Sequence, residues 1–465
     1  MKQQRLIMVG ALSVLLAGCA VGPKYVAPTG PEVKLHSAEA QAFKPQSQAA
    51  QASWWLFFEE PDLNRLIDAA LAQNHDLRQA QARLLAARAV FDERQLERLP
   101  AITSAASYQR AISQQAGSDG TPARTLSEQY RLGFDTQWEI DLFGRLQHLS
   151  QSARARADAT QAEFTLLQLS IAAEVARVYY QAQGLQQQLE LAQQQQRSWA
   201  QTVKITAASV RLGSGLPEDL ANAQAQLLRS EAQIPQVYTQ LQQAKYRLDV
   251  LTGHEPGHNQ LVLAGPQAAP LAKNLPLGDV NELIRQRPDV VKAERLLAAS
   301  SADVGAATAD LFPRLNLGGF LGFIALRGGD IGHASRGFEL TPNLTWPALQ
   351  LGNARARLRG AKAQNTGALA QYEQALLLAH EEVEGAVTQL VQHQDSLKAL
   401  LQSARHAEQA VAIATKRHKA GSGQYLSVLA NQRALYEVKQ ALLAAQTDSY
   451  INVVALYKAL GWGQA

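Results

Sequence analysis

Residues 130–140 read Tyr-Arg-Leu-Gly-Phe-Asp-Thr-Gln-Trp-Glu-Ile. Tyr130, Leu132, Phe134, Trp138 and Ile140 alternate with Arg131, Gly133, Asp135, Gln137 and Glu139. A period of two over about ten residues is a β-strand with one apolar face. The pattern recurs with Leu315, Leu317, Leu321 and Phe323, again with Phe338, Leu340, Leu344 and Trp346, and more weakly from Ile102 to Tyr108. A soluble two-layer sheet would also produce it, but three features favour a membrane. The runs have about the 9–11 residues of a transmembrane strand. Polar, Gly-rich stretches at 111–127 and 324–336 stand at their far ends. Trp138 and Trp346 stand at the near ends, where an interfacial aromatic girdle belongs. Four strands cannot close a barrel, and open edges do not survive in hydrocarbon. The strands therefore call for an oligomer: a dimer would give eight strands with a filled interior, a trimer twelve with a water-filled passage.

The strands interrupt helices. Residues 63–99 are rich in good helix formers, with Leu66, Ile67, Ala70, Leu71 and Leu77 on one face, and Pro100 stops them. From Leu142 to Leu212 no Pro occurs, until Gly213, Gly215 and Pro217 break the chain. Glu218 to Leu251 reads as helix again, with a local kink expected at Pro235. A helix of about 70 residues is roughly 105 Å long, twice one of about 35. Two short helices end to end thus match one long one, and such lengths argue for coiled-coil packing.

The order of elements occurs twice. Gly213 and Gly215 fall on Gly421 and Gly423, Trp138 on Trp346, Gly253 on Gly461; nearer the start, Asp76 falls on Asp289 and Pro100 on Pro313. The resulting division is 19–62 as an N-terminal segment; 63–99 helix, 100–141 strand pair and 142–252 helices as the first repeat; 253–277 as a linker; 278–312, 313–348 and 349–460 as the second repeat; and 461–465 as a tail.

The 465 residues carry only 18% charged residues, a net charge of +4 and one Cys. One Cys excludes a disulfide scaffold and a Cys-based metal site. No run of Lys and Arg stands out, which argues against nucleic acid. No apolar stretch reaches the 18 residues of a membrane helix. Residues 1–18 have the charged start (Lys2, Arg5) and short apolar run (Leu6 to Leu16) of a secretory signal. They end Leu16-Ala17-Gly18-Cys19, which looks like a bacterial lipobox with Cys19 as the lipidated residue. Ala20, where an Asp would resemble an inner-membrane retention signal, favours the outer membrane. Several acyl chains anchor stably, at roughly 0.8 kcal/mol per buried CH₂.

These pieces resemble a known family. Val21-Gly-Pro-Lys-Tyr25-Val-Ala-Pro28, Trp54-Trp55-Leu-Phe-Phe58-Glu-Glu-Pro61-Asp-Leu63, Asn74-His-Asp76-Leu77, Asp141-Leu-Phe143-Gly144-Arg145, Arg287-Pro288-Asp289-Val290 and Phe312-Pro313 are similar to motifs of OprM-like outer-membrane efflux lipoproteins, the NodT branch of the TolC superfamily. The resemblance covers nearly the whole chain. It implies a mainly α protein with a membrane β-barrel: a homotrimer with a shared twelve-stranded barrel on a long periplasmic α-helical barrel. It implies an exit duct of a tripartite pump, with a periplasmic adaptor and an inner-membrane transporter, of RND type, as partners. Residues 20–60, the linker 253–277 and the last residues would form an equatorial girdle. The turns at Gly213–Pro217 and Gly421–Gln424 would form the periplasmic tip. There Glu218-Asp219-Leu220 and Tyr425-Leu426-Ser-Val428-Leu429-Ala430-Asn431-Gln432-Arg433 resemble tip motifs. Leu426 falls on the family's hydrophobic constriction. Ala430 stands where many members carry an Asp ring, a departure from the pattern. Arg433 is expected to pair with Glu218 or Asp219 and hold the helices shut, or else to make an ordinary solvated pair.

Enzyme chemistry finds no support. His380-Glu381-Glu382 begins like HExxH, but Glu384 takes the second His position. His254 and His258 flank a Glu-Pro-Gly turn and read as loop residues, and Glu381 and Glu382 as a solvated helix face. No GxSxG, P-loop or dinucleotide fingerprint occurs. The expectation is a passive outer-membrane duct for drugs or other small molecules, without cofactor beyond the lipid on Cys19. The alternatives are a type I protein secretion duct and a purely structural coiled-coil envelope lipoprotein.

Overall fold

The computed structural model describes residues 20–28, 53–116, 122–258 and 280–462. Cys19, the signal sequence and most of the 253–277 linker lie outside the described residues. The elements run α1 (Pro61–Gln73), α2 (His75–Leu96), β1 (Ala101–Ala116), β2 (Pro122–Ile140), α3 (Arg145–Arg211), α4 (Pro217–Leu251), α5 (Val280–Gln286), α6 (Pro288–Ala309), β3 (Arg314–Ala325), β4 (Arg336–Thr345), α7 (Leu351–Lys419) and α8 (Tyr425–Ala459). A 3-10 turn, Trp54–Phe58, precedes α1.

The order repeats as the sequence indicates, and the long helices α3 and α7 have 67 and 69 residues. α4 passes through Pro235 as one helix. One expectation is corrected. Residues 63–99 and 278–312 are not single helices: each is broken, at Asn74 and at Arg287. Pro288 biases Arg287 away from helical geometry, and Asn74 bonds its own downstream backbone in place of the helix ladder. A second correction concerns 111–127. Residues 111–116 and 122–127 are strand, because β1 and β2 stay paired to Ala116↔Pro122, with Ile112 opposite Leu126 and Arg110 opposite Glu128. Strand propensity and a cross-strand ion pair, Arg110 Nε to Glu128 Oε1 at 3.3 Å, outweigh the polar composition.

The described residues fall into two compact units. The first contains residues 20–28, 83–161 and 292–373 of the described chain, and with them the sheet. Its four strands are antiparallel in the order β1-β2-β3-β4. The central pair joins the two repeats, from Tyr130↔Ala325 to Ile140↔Leu315. The first residues of the described chain lie on this unit: Val21 N–H donates to Phe143 O at 3.1 Å, and His148 Nε2 lies 2.9 Å from Val21 O. Phe143 stacks on Phe312, with ring centroids 4.7 Å apart.

The second unit contains residues 53–82, 162–291 and 374–462 of the described chain. Its core has two parts. On α7, Val383, Val387, Leu390 and Leu397 are buried, as are Leu241, Leu248 and Leu251 of α4. Elsewhere the core is aromatic: Trp54 stacks on Tyr457 at 5.6 Å, Tyr180 on Tyr450 at 4.4 Å, and Phe58 lies 5.3 Å from Tyr180. Tyr179 O–H donates to Glu60 Oε2 at 2.8 Å.

Candidate functional site

The sheet has two unlike faces. Residues directly opposite across a ladder share a face, so the pairings Phe134↔Leu321↔Phe338 and Leu132↔Phe323 put the apolar side chains on one side. They are uncovered: Phe338 is 83% exposed, and Phe134, Leu321 and Leu340 are exposed too. An apolar face this wide is not left to water. The other face carries Asp135↔Phe320↔Glu339 in one row and Gly133↔Gly322↔Gly337 in the next. Phe320 is 4% exposed because its ring lies over the glycines; a Cβ on Gly133 or Gly322 would meet that ring at 2.8 Å. Arg131 covers the other side of the ring, its guanidinium carbon 3.8 Å from the centroid, and Asp135 holds that guanidinium by two bonds. One face is thus built for lipid, the other for an aqueous bore.

The two tryptophans mark one edge of the apolar face. Trp138 Nε1 donates to Arg98 O at 3.0 Å, and Trp346 Nε1 donates to Leu311 O at 3.1 Å. Both acceptors follow the last turn of a helix, α2 or α6, at equivalent places in the two repeats. Each indole therefore satisfies a helix-terminal carbonyl while presenting its ring at the edge of the apolar face. Tyr108 and Tyr130, 4.7 Å apart, stand farther along the same face.

At the far end of the helices lie two tight turns. Gly213 and Gly421 both have φ of +71°, a conformation that a Cβ opposes. Each closes its helix identically: Gly213 N donates to Val210 O and Ser214 N to Ser209 O, as Gly421 N donates to His418 O and Ser422 N to Arg417 O. The first turn of α8 lies against α3, since Tyr425 Oη lies 3.3 Å from Thr202 Oγ1, and the Tyr425 ring lies 5.0 Å from that of His418. Leu212, Leu216 and Leu426 are exposed, Leu212 at 83% and Leu426 at 55%. Glu218 and Asp219 fill the first turn of α4, where carboxylates suit the positive helix end.

The signature of the family described as outer membrane efflux protein matches residues 66–254 and 280–462, and so covers both repeats. The chain belongs to this outer membrane efflux protein family. It is 30% identical to the solvent efflux pump outer membrane protein SrpC of Pseudomonas putida over 460 residues, 97% of this chain and 96% of the other. It is 29% identical to outer membrane protein OprJ of Pseudomonas aeruginosa, over 97% and 94% of the two chains. Among solved structures it resembles the outer-membrane channel OprN, with a TM-score of 0.90 and 38% identity over 96% and 99% of the chains.

The efflux protein is thus an outer-membrane exit duct for a tripartite pump, with the trimeric, TolC-like fold that shares one barrel among three protomers. In such a barrel the apolar face is the one suited to lipid and the Arg131–Phe320–Asp135 face the one suited to an aqueous bore. The sequence-derived residues fall into two groups, Trp138 and Trp346 at the end of the apolar sheet face and a set at the two helix-closing turns. Gly213, Gly215, Gly421, Gly423, Glu218, Asp219, Tyr425, Leu426, Ala430 and Arg433 all lie in the tip turns or in the first turns beyond them. One expected contact is replaced: Arg433 Nε donates to Glu437 Oε1 at 3.0 Å, one turn along its own helix, instead of to Glu218 or Asp219. A partner at i+4 needs no tertiary geometry, so it wins within the protomer. His254 and His258 stack on each other in their loop, centroids 4.5 Å apart, as befits loop residues.

Sequence reasoning missed three features. Glu382 is not merely solvated: it accepts a 2.6 Å bond from Arg287, whose side chain is 6% exposed and also binds Asp289 and Ala459 O. Burial works against the charge on this guanidinium, yet the bonds to Asp289 and Glu382 hold its pKa above the ordinary value. The Arg287-Pro288-Asp289 string held the clue, as a charged pair at a helix break. The Gly133–Gly322 row could not be read without the register. Finally, Lys416-Arg417-His418-Lys419 is a basic run after all, confined to the last turn of α7.

Proposed function

We propose that this efflux protein exports small lipophilic molecules, that Cys19 anchors it by lipid to the outer membrane, and that its tip is both gate and docking end. Its partners are a periplasmic adaptor and an inner-membrane transporter of RND type. The single observation that carries this reading is the set of bare leucines at the two turns: Leu212, Leu216 and Leu426 are exposed beside a hydrogen-bonded pair of helices. Exposed Leu on so polar a chain calls for a cover. Leu426 finds it in the copies related by the three-fold axis, as a hydrophobic constriction, and the outer leucines find it in the adaptor. With Ala430 in place of a carboxylate, no acidic ring forms at that position, so closure rests on apolar contact. The duct does no chemical work; the transporter supplies it. The likeness to a solvent pump's outer membrane protein supports lipophilic cargo.

Deletion of the gene is expected to lower the inhibitory concentration of lipophilic drugs and solvents at least about fourfold, and complementation to restore it. Unchanged susceptibility, together with purified trimers that carry no ion current, refutes the duct. Mass spectrometry of the mature chain is expected to find acyl chains on residue 19 that Cys19→Ser removes.

A further inference from the structure

The tip carries an uneven charge that the fold does not require. α3 and α7 are equivalent helices, and both end in the same Gly-Ser-Gly turn with the same pair of closing hydrogen bonds. The last turn of α3 holds one cation, Arg211, whereas that of α7 holds Lys416, Arg417, His418 and Lys419. Cations at a helix C-terminus offset the macrodipole. α3 achieves an identical ending with one, however, so the excess on α7 has another cause. Lys416 and Arg417 stand where α3 has Ala208 and Ser209.

These charges are not spent on partners. Arg211, Lys416, Arg417 and Lys419 are exposed and make no ion pair among the described residues. Among the described residues the carboxylates that adjoin these turns are Glu218 and Asp219, since the first turn of α8 has none. Arg433, farther along, is already neutralised by Glu437. Four cations against two carboxylates leave a surplus of two per protomer and six per trimer, His418 not counted. At physiological ionic strength the Debye length is about 8 Å, so charges gathered at one mouth act together on an arriving ion. Such a ring raises the local concentration of counter-ions by about tenfold or more.

We propose that the tip is an electropositive mouth that concentrates anions, so that the duct admits anionic and neutral solutes in preference to cationic ones. This rests on the duct reading above and names the charge class of its cargo. The bore wall of the barrel has the opposite balance, Asp135, Glu139 and Glu339 against Arg131 and Arg314, so the mouth must be tested by changing the mouth alone.

The test is the reversal potential of purified trimers in a planar bilayer under a potassium chloride gradient. This quantity does not depend on open probability, so a mostly closed trimer still reports it. The expected chloride-to-potassium permeability ratio is about 3 or more near 0.1 M salt, falling toward 1 near 1 M as the Debye length shrinks to about 3 Å. Lys416→Ala with Arg417→Ser copies what the first repeat tolerates and cancels the surplus; the ratio should fall to about 1. Glu218→Gln with Asp219→Asn should raise it above the parent's. A parent ratio at or below 1, or a ratio indifferent to the Lys416 and Arg417 changes, overturns the proposal while leaving the duct standing. Absence of any current removes the duct itself.

Discussion

Asn74 sends its side-chain amide to Leu251 O at 3.0 Å, while Oδ1 accepts the backbone N–H groups of Asp76 and Leu77. At the equivalent break of the second repeat, Arg287 sends its guanidinium to Ala459 O and adds Asp289 and Glu382. Leu251 and Ala459 are the final residues of the equivalent helices α4 and α8. The position and its task, a donor for a helix-terminal carbonyl, persist through both repeats, while the chemistry differs: one is neutral and local, the other a buried charge held by two carboxylates. A repeat fixes where the chain must turn, and leaves open how the turn is satisfied. A second asymmetry points the same way. Tyr450 and Tyr457 of α8 stack into an aromatic cluster, but their counterparts on α4 are Gln242 and Asp249. The cause is Trp54–Phe58, a segment that occurs once and docks where α8 offers rings.

The largest test of this comparison is high pH. Burial pushes Tyr450 and Tyr457 up to about 12 and raises Tyr179 and Tyr180 as well. A raised pKa contributes stability that is intact below the unfolded value near 10 and is lost as pH climbs through the folded value. Hydrogen exchange between pH 10 and 12 should therefore open α8 well before α4; simultaneous opening would break the comparison.

Next comes the charged break. Arg287→Ala should cost about 2–3 kcal/mol in denaturant unfolding, because it leaves Ala459 O without its donor and removes the charged bonds to Asp289 and Glu382, against about 1–2 kcal/mol for Asn74→Ala. Equal losses would mean that the buried charge adds nothing. Smaller still, Trp138→Phe and Trp346→Phe should each cost about 1 kcal/mol, and equally, since each removes one indole bond to a helix-terminal carbonyl. Smallest is Arg433→Ala. An exposed i,i+4 pair contributes about 0.3–0.5 kcal/mol, so closed-state conductance should stay within about twofold of the parent's. A large rise would restore Arg433 as a lock between protomers.

Much of this was legible beforehand where one residue type has one physical use. Period-two alternation from Tyr130 to Ile140 gives a strand with one apolar face in any setting. Gly213 and Gly421 announce turns because only glycine takes their backbone angles freely. Trp138 and Trp346 were legible as edge markers, although not as caps, because a cap needs to know which carbonyl is left over. Of the two readings of Arg433, the solvated pair is the one seen within the protomer, with Glu437 at i+4, since proximity across two helices cannot be seen from spacing whereas a partner at i+4 can. The basic end of α7 was overlooked since four residues are diluted in any window average, and they gain meaning only when α3 supplies the contrast.

By itself, then, the sequence determined most of the elements, their repetition and the need for partner copies, though not the helix breaks at Asn74 and Arg287 or the full length of β1 and β2: periodicity, turn residues and the impossibility of a four-stranded barrel are local or topological facts. Tertiary structure alone decided the register that aligns Gly133 with Gly322 beneath Phe320, the docking of Arg287 on Ala459 O, and the gathering of the aromatic rings around Trp54. Those depend on which surfaces meet, and burial free energy, being non-directional, leaves that choice to shape and to the polar groups that must find partners.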